Sequence, residues 1–106
     1  MLKLLKDIIQ GKPAKKRSPL WRSVRAEHLK LHPTCAVCGG TSMIEVHHIF
    51  PFHKFPDMEL NLENLITLCE GKKHCHKWVG HLFDWKNYND EVVNDSQIWN
   101  AKLNDL

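Results

Sequence analysis

The chain has 106 residues, 42% of them hydrophobic and 25% charged, with four cysteines, eight histidines and a formal net charge of +3. That length suits one small domain. The composition excludes wholesale disorder, and a core this small leaves a chain marginal unless something staples it. Lys3, Lys6 and Asp7 interrupt the leucine-rich start, and no run of about 18 apolar residues occurs, so neither a membrane span nor a secretory signal is expected.

Positive charge is concentrated at the start of the chain. Residues 1–30 hold nine Lys or Arg against only Asp7 and Glu27, which leaves the remainder mildly acidic. Residues 1–17 end in Gly11-Lys12-Pro13-Ala14-Lys15-Lys16-Arg17 and read as a flexible basic arm with room for a short helix at 2–10, ahead of a single domain at 18–106. Each Lys or Arg that meets a phosphate releases condensed counterions, so such an arm suits nucleic acid; a solvated tail would carry the same charge.

Ser18-Pro19 has the form of an N-cap followed by proline at the first helical position. The pattern Leu20, Trp21, Val24, His28, Leu29 and Leu31 predicts a helix stopped by Pro33, with Arg22 and Arg25 on it. A tight Cys35-Ala-Val-Cys38-Gly39-Gly40 knuckle follows. Next comes a strand at 43–49, whose alternation sends Ile44, Val46 and His48 to one face and Glu45 and His47 to the other. A long loop from Phe50 to Glu63 carries Pro51 and Pro56, and Asn64 to Leu68 reads as a second strand or extended segment. From Cys75 onward, Trp78, Val79, Leu82, Phe83 and Trp85 predict a helix. After a turn at 87–89, a last helix is marked by Val92, Ile98, Trp99 and Leu103, and Trp78, Trp85 and Trp99 are expected in the core. Helix, knuckle, strand, strand, helix, helix is an α+β order.

Four cysteines suit two disulfides or one metal site, and without a signal peptide the metal is favoured. Cys35 and Cys38, then Cys69 and Cys75 some thirty residues on, offer four thiolates in the set that structural Zn²⁺ takes tetrahedrally. Five residues separate the second pair, which leaves His74 as an alternative to Cys75 for the fourth ligand.

The histidines carry the other signal. Neighbours in a strand face opposite ways, so His47 and His48 have different tasks: one can meet a metal while the other faces a water. His76 follows Cys75 directly, and His81 lies five residues on; a regular helix separates those two side chains by roughly 140°, so it would present only one of them to an ion.

Cys35-x-x-Cys38, Val46-His47-His48-Ile49, Asn64-Leu65-Ile66-Thr67-Leu68-Cys69 and Cys75-His76 together resemble the HNH endonucleases, whose active site is a ββα-metal finger. With Trp21-x-x-x-Arg25, the resemblance covers roughly residues 18–104. The stretch from Gly80-His81 to Tyr88-Asn89 is similar to small HNH proteins of phages and prophages. The resemblance implies a small ββα-metal fold with flanking helices and a structural zinc site. It makes His48 the general base, His47 and His76 ligands of a catalytic divalent cation, and Asn64 the residue that pins the loop or orients the histidine. It further implies nicking of double-stranded DNA at low sequence specificity, with 5′-phosphate and 3′-hydroxyl products. Lys15, Lys16, Arg17, Arg22 and Arg25 would grip the phosphates. A phage terminase is the implied partner, in DNA processing or packaging in the cytoplasm of a bacterial host.

Two departures from the family pattern stand out. Many members carry Asp where His47 stands, and an imidazole shifts preference from Mg²⁺ toward Mn²⁺, Ni²⁺, Co²⁺ or Zn²⁺. About three extra residues precede His74-Cys75. The competing expectation is a non-catalytic zinc ribbon that uses Cys35, Cys38, Cys69 and Cys75 alone; such a ribbon has no need of His47, His48, Asn64 and His76.

Overall fold

A computed structural model of the chain describes residues 16–71 and 73–106. Of the expected arm at 1–17, residues 1–15, with Lys15 and the short helix expected at 2–10, lie outside those residues. Helix α1 spans Trp21–Leu31, strands β1 and β2 span Ile44–His48 and Leu65–Cys69, a π-helical turn covers His76–Gly80, and helix α2 spans Val92–Asn104. Two short 3₁₀ turns, Pro56–Met58 and Leu62–Asn64, fold the loop between the strands.

The strands pair antiparallel, with Ile44 opposite Cys69, Val46 opposite Thr67 and His48 opposite Leu65. All five residues of β2 are buried, whereas β1 buries only Val46 and His47. Two strands alone would be marginal. The sheet is held by the elements around it, in a core of Val37, Ile49, Ile66, Leu68, Val79 and Val92 that also contains Cys35, Cys69 and Cys75. Leu68, Val37 and Val92 are fully buried, each worth about 1.5–3 kcal/mol of apolar transfer.

The knuckle is a hydrogen-bonded turn. Cys35 N–H donates to the Gly40 carbonyl (2.8 Å), Gly39 N–H donates to the Cys35 carbonyl (2.8 Å), and Ala36 N–H reaches across to Thr67 of β2 (2.9 Å). Gly39 has φ +75°, the left-handed region where a residue without Cβ is unstrained. Helix α2 closes over this turn through its buried Val92 and through Asn100, whose amide donates to the Val37 carbonyl (3.1 Å).

Several expectations need correction. Helix α1 starts at Trp21 rather than at Pro19: Ser18 sits one turn earlier, its hydroxyl accepting from Leu20 N–H (3.1 Å). Its predicted apolar face is only partly buried, because Leu20 and Leu31 point to solvent and His28 is the one buried residue of the helix. The largest departure follows Cys75. There is no regular helix to Trp85; the π turn ends at Gly80, and the chain reverses through Leu82 (φ +53°) and Phe83 (φ +69°), both left-handed. Those two non-glycine residues break any α-helical continuation. Trp85 is 53% exposed and lies outside the core, and Trp99 is 40% exposed. The buried polar residue in this region is Asn89, whose amide nitrogen donates to the Val79 carbonyl (2.9 Å) and to Asp95 (2.8 Å), tying the π turn to α2.

Candidate active site and metal centres

The four cysteines converge, with their sulfurs all within 4.8 Å of one another. Cys38 and Cys69 Sγ stand 3.7 Å apart. Four sulfurs about 2.3 Å from a tetrahedral cation would be about 3.8 Å apart, so this donor set fits Zn²⁺. Burial pushes the Cys35 thiol up. Cys38 is also desolvated, yet N–H donation from Gly40 and contacts with the other three thiols outweigh that and hold it below its ordinary value. Cys75 belongs to the set, and His74, exposed at φ +50°, does not.

A second convergence involves His47 on β1, His76 at the start of the π turn and His81 just past its end, whose ring nitrogens also lie within 4.8 Å of one another. His47 Nδ1 is 2.9 Å from His76 Nε2, and His81 Nε2 is 3.2 Å from the same atom. Nitrogens about 2.0–2.1 Å from one cation are about 2.9–3.4 Å apart, so the spacing suits a shared ion. His76 and His81, between which the sequence offered a choice, thus stand in the same cluster. A π turn closes i to i+5 rather than i to i+4, and the five-residue offset that would part them on an α-helix stacks them here.

Gly80 makes this closure possible. A Cβ there would stand 3.0 Å from Leu68 Cδ1, 3.3 Å from His76 Cδ2 and 3.4 Å from His47 Cε1. The backbone of the turn therefore packs directly on both imidazoles.

The outer nitrogens are spoken for. Glu70, a carboxylate just after β2, accepts from His76 Nδ1 (2.7 Å), and the Asn87 carbonyl accepts from His81 Nδ1 (2.8 Å). A carbonyl or carboxylate only accepts, so both bonds put the proton on Nδ1 and the lone pair on Nε2, toward the cluster. His47 is almost wholly buried, and its Nε2 has no hydrogen-bond partner among the described residues. Burial first, then the neighbouring His76, His81 and His48, push its pKa down to about 3, so the ring is neutral and has a lone pair to give. His81 is lowered as well, again chiefly by burial.

His48 faces the other side of β1. Its ring packs on Trp21 of α1 with centroids 4.4 Å apart, and its Nε2–H donates to the Glu59 carbonyl (2.9 Å). That bond fixes the tautomer, leaving Nδ1 as the lone-pair nitrogen. Burial lowers its pKa and outweighs the opposing effect of the Glu59 hydrogen bond.

Asn64 is buried and uses its whole amide on the loop between the strands. Oδ1 accepts from Phe50 N–H (2.8 Å), while Nδ2 donates to the carbonyls of Phe50 (3.1 Å) and Met58 (3.1 Å). It clamps both ends of the segment that presents Glu59 to His48.

Of the basic residues, Lys16 and Arg22 are exposed, Arg25 pairs with Glu45 (3.0 Å) and Arg17 reaches Glu59 (3.5 Å). Sequence reasoning missed Glu59, Glu70, the Asn87 carbonyl and Gly80; of these, only the Gly80-His81 dipeptide offered any signal.

No curated protein and no solved structure matches the chain. Residues 35–81 match the family model of the HNH endonucleases. The match begins at the first knuckle cysteine and ends at the third clustered histidine, so this span is similar to the HNH endonuclease domains, a family of metal-dependent nucleases that act on DNA.

Proposed function

We propose that the protein nicks duplex DNA at low sequence specificity, hydrolysing one phosphodiester to 5′-phosphate and 3′-hydroxyl ends, with His48 as general base and His47, His76 and His81 holding the catalytic cation. One observation carries the reading: three imidazole lone pairs converge on one side of β1 while the adjacent His48, its tautomer fixed, keeps Nδ1 free. When bound, a divalent cation there supplies positive charge to the non-bridging phosphoryl oxygens and to the leaving 3′ oxygen.

The chain's own groups do the rest. His48 Nδ1 takes a proton from the attacking water as the new P–O bond forms and the bond to the 3′ oxygen breaks, that oxygen taking its proton from a solvent water. His47 and His48 are neighbours in β1, so on this reading the phosphate would lie at the end of that strand, within reach of both. Glu70 and the Asn87 carbonyl orient two of the ligands, and Asn64 holds the loop behind the base. Exposed Lys16 and Arg22 would contact phosphates, Arg25 would join them from its ion pair with Glu45, and Arg17 would do so through the nitrogens it does not turn to Glu59. The cysteine set holds a structural Zn²⁺. By the resemblance of residues 80–89, the work is phage DNA processing or packaging.

Three imidazoles without a carboxylate favour Mn²⁺, Co²⁺, Ni²⁺ or Zn²⁺ over Mg²⁺. Supercoiled plasmid incubated with each cation, with and without EDTA, tests this. Open-circular product with those ions, weaker product with Mg²⁺ and none with EDTA is expected. Activity undiminished by EDTA, or linear product from the first turnover, contradicts it.

A further inference from the structure

Behind His48 lies a connection that the HNH match at 35–81 does not contain at its N-terminal end. The Glu59 carbonyl that fixes the His48 tautomer belongs to a residue whose own carboxylate is buried, with only 5% of the side chain exposed. A carboxylate so placed needs partners. Both of its partners come from the chain just ahead of α1: Ser18 backbone N–H donates to Oε1 (2.9 Å) and Arg17 Nη1 to Oε2 (3.5 Å). Arg17 is held over the Phe52 ring, 4.4 Å from its centroid. Trp21, four residues on, lies against the His48 ring.

We propose that Glu59 is a positioning residue through which the junction at Arg17 and Ser18 sets the orientation of His48, so that the end of the basic N-terminal segment is coupled to the general base. The proposal rests on the reading of His48 as that base. One residue carries both bonds: its side chain is anchored by the junction and its carbonyl holds the imidazole. Loosening the anchor frees the carbonyl, and a displacement of about 1 Å at a reacting group can cost about 10²-fold in rate. A segment that merely gripped DNA would change affinity and leave the chemistry on a small substrate untouched.

The test uses the full chain loaded with Mn²⁺ on two substrates, plasmid and bis(p-nitrophenyl) phosphate, the second too small to span from the metal to the junction. Glu59→Ala is expected to lower kcat on both by about tenfold or more, with KM for plasmid little changed. Glu59→Gln, which keeps an acceptor for Ser18 N–H, should recover much of that loss. Arg17→Ala, at a half-exposed side chain, should lower kcat on the small diester a few-fold, and Arg17→Lys should restore part of it. If Glu59→Ala does not fold, Arg17→Ala decides. Wild-type kcat for Arg17→Ala on the small diester, with only KM for plasmid raised, overturns the proposal. Full activity in His48→Ala would instead remove the reading on which it rests.

Discussion

Histidines divide by what their second nitrogen touches. His76 donates its Nδ1–H to Glu70 and His81 donates its own to a backbone carbonyl, and each thereby turns a lone pair inward. Glu70 is the only anion bonded to the cluster among the described residues, and it is 41% exposed, so Glu70→Gln should fold normally. We expect it to weaken binding of the catalytic cation about 10–100-fold, read by titrating Co²⁺ and following visible absorbance. Unchanged affinity would make Glu70 a solvated bystander. At this scale the sequence singled out His47, His48, Asn64 and His76 by residue type and order, and the structure brings two of them, His47 and His76, into one cluster with His81. Glu70 and Glu59 were not: a carboxylate bound to an imidazole is spelled like one facing water, and a carbonyl such as that of Asn87 has no spelling at all.

Elements decide which of those residues meet. The strands and the knuckle follow from alternation and Cys-x-x-Cys spacing, and they formed within a residue or two of expectation. The segment after Cys75 did not, since Trp78, Val79, Leu82 and Phe83 satisfy helical periodicity while the left-handed Leu82 and Phe83 end it. Periodicity reports which side is apolar; it does not report whether a turn closes at i+4 or i+5. Gly80→Ala tests the π turn, because its Cβ would enter the space between Leu68 and the two imidazoles. It should loosen the three-histidine site and weaken Co²⁺ binding there while the cysteine set keeps its zinc. An unaltered Co²⁺ titration would show that the turn absorbs a methyl group. Cys38→Ser tests the knuckle cysteine, whose sulfur stands among four that could hold one cation. Loss of bound zinc on metal analysis and a Tm lower by at least about 10 °C are expected; wild-type zinc content would contradict a four-cysteine site.

Across the whole molecule, His28, His47, His48 and His81 all sit below their ordinary pKa of 6.5, with burial the first cause in each. Each is neutral when folded and takes a proton more readily when unfolded, so the unfolded chain binds more protons as pH falls below about 6.5. Stability is therefore full above that pH and is lost as pH falls toward the depressed folded values. Urea unfolding of the protein at pH 7.5 and pH 5 should show a clearly lower midpoint at pH 5; equal midpoints would mean that these imidazoles are solvated. The same burial keeps the imidazoles of His47 and His81 uncharged, as cation binding would require. The α+β order was legible because a chain this small has few ways to bury two strands. The packing of the segment ahead of α1 behind His48 was not, because no pattern in residues 16–21 announces a partner forty residues away.

In the proposed reaction a cation at the histidine cluster and His48 would together hydrolyse DNA. The most direct measurement is the initial rate of plasmid relaxation with Mn²⁺ for wild type and His48→Ala, alongside the melting temperature and zinc content of each. A fall of about 10²–10⁴-fold in rate is expected, with the variant still folded and its zinc content unchanged. Equal rates for the two proteins would contradict it.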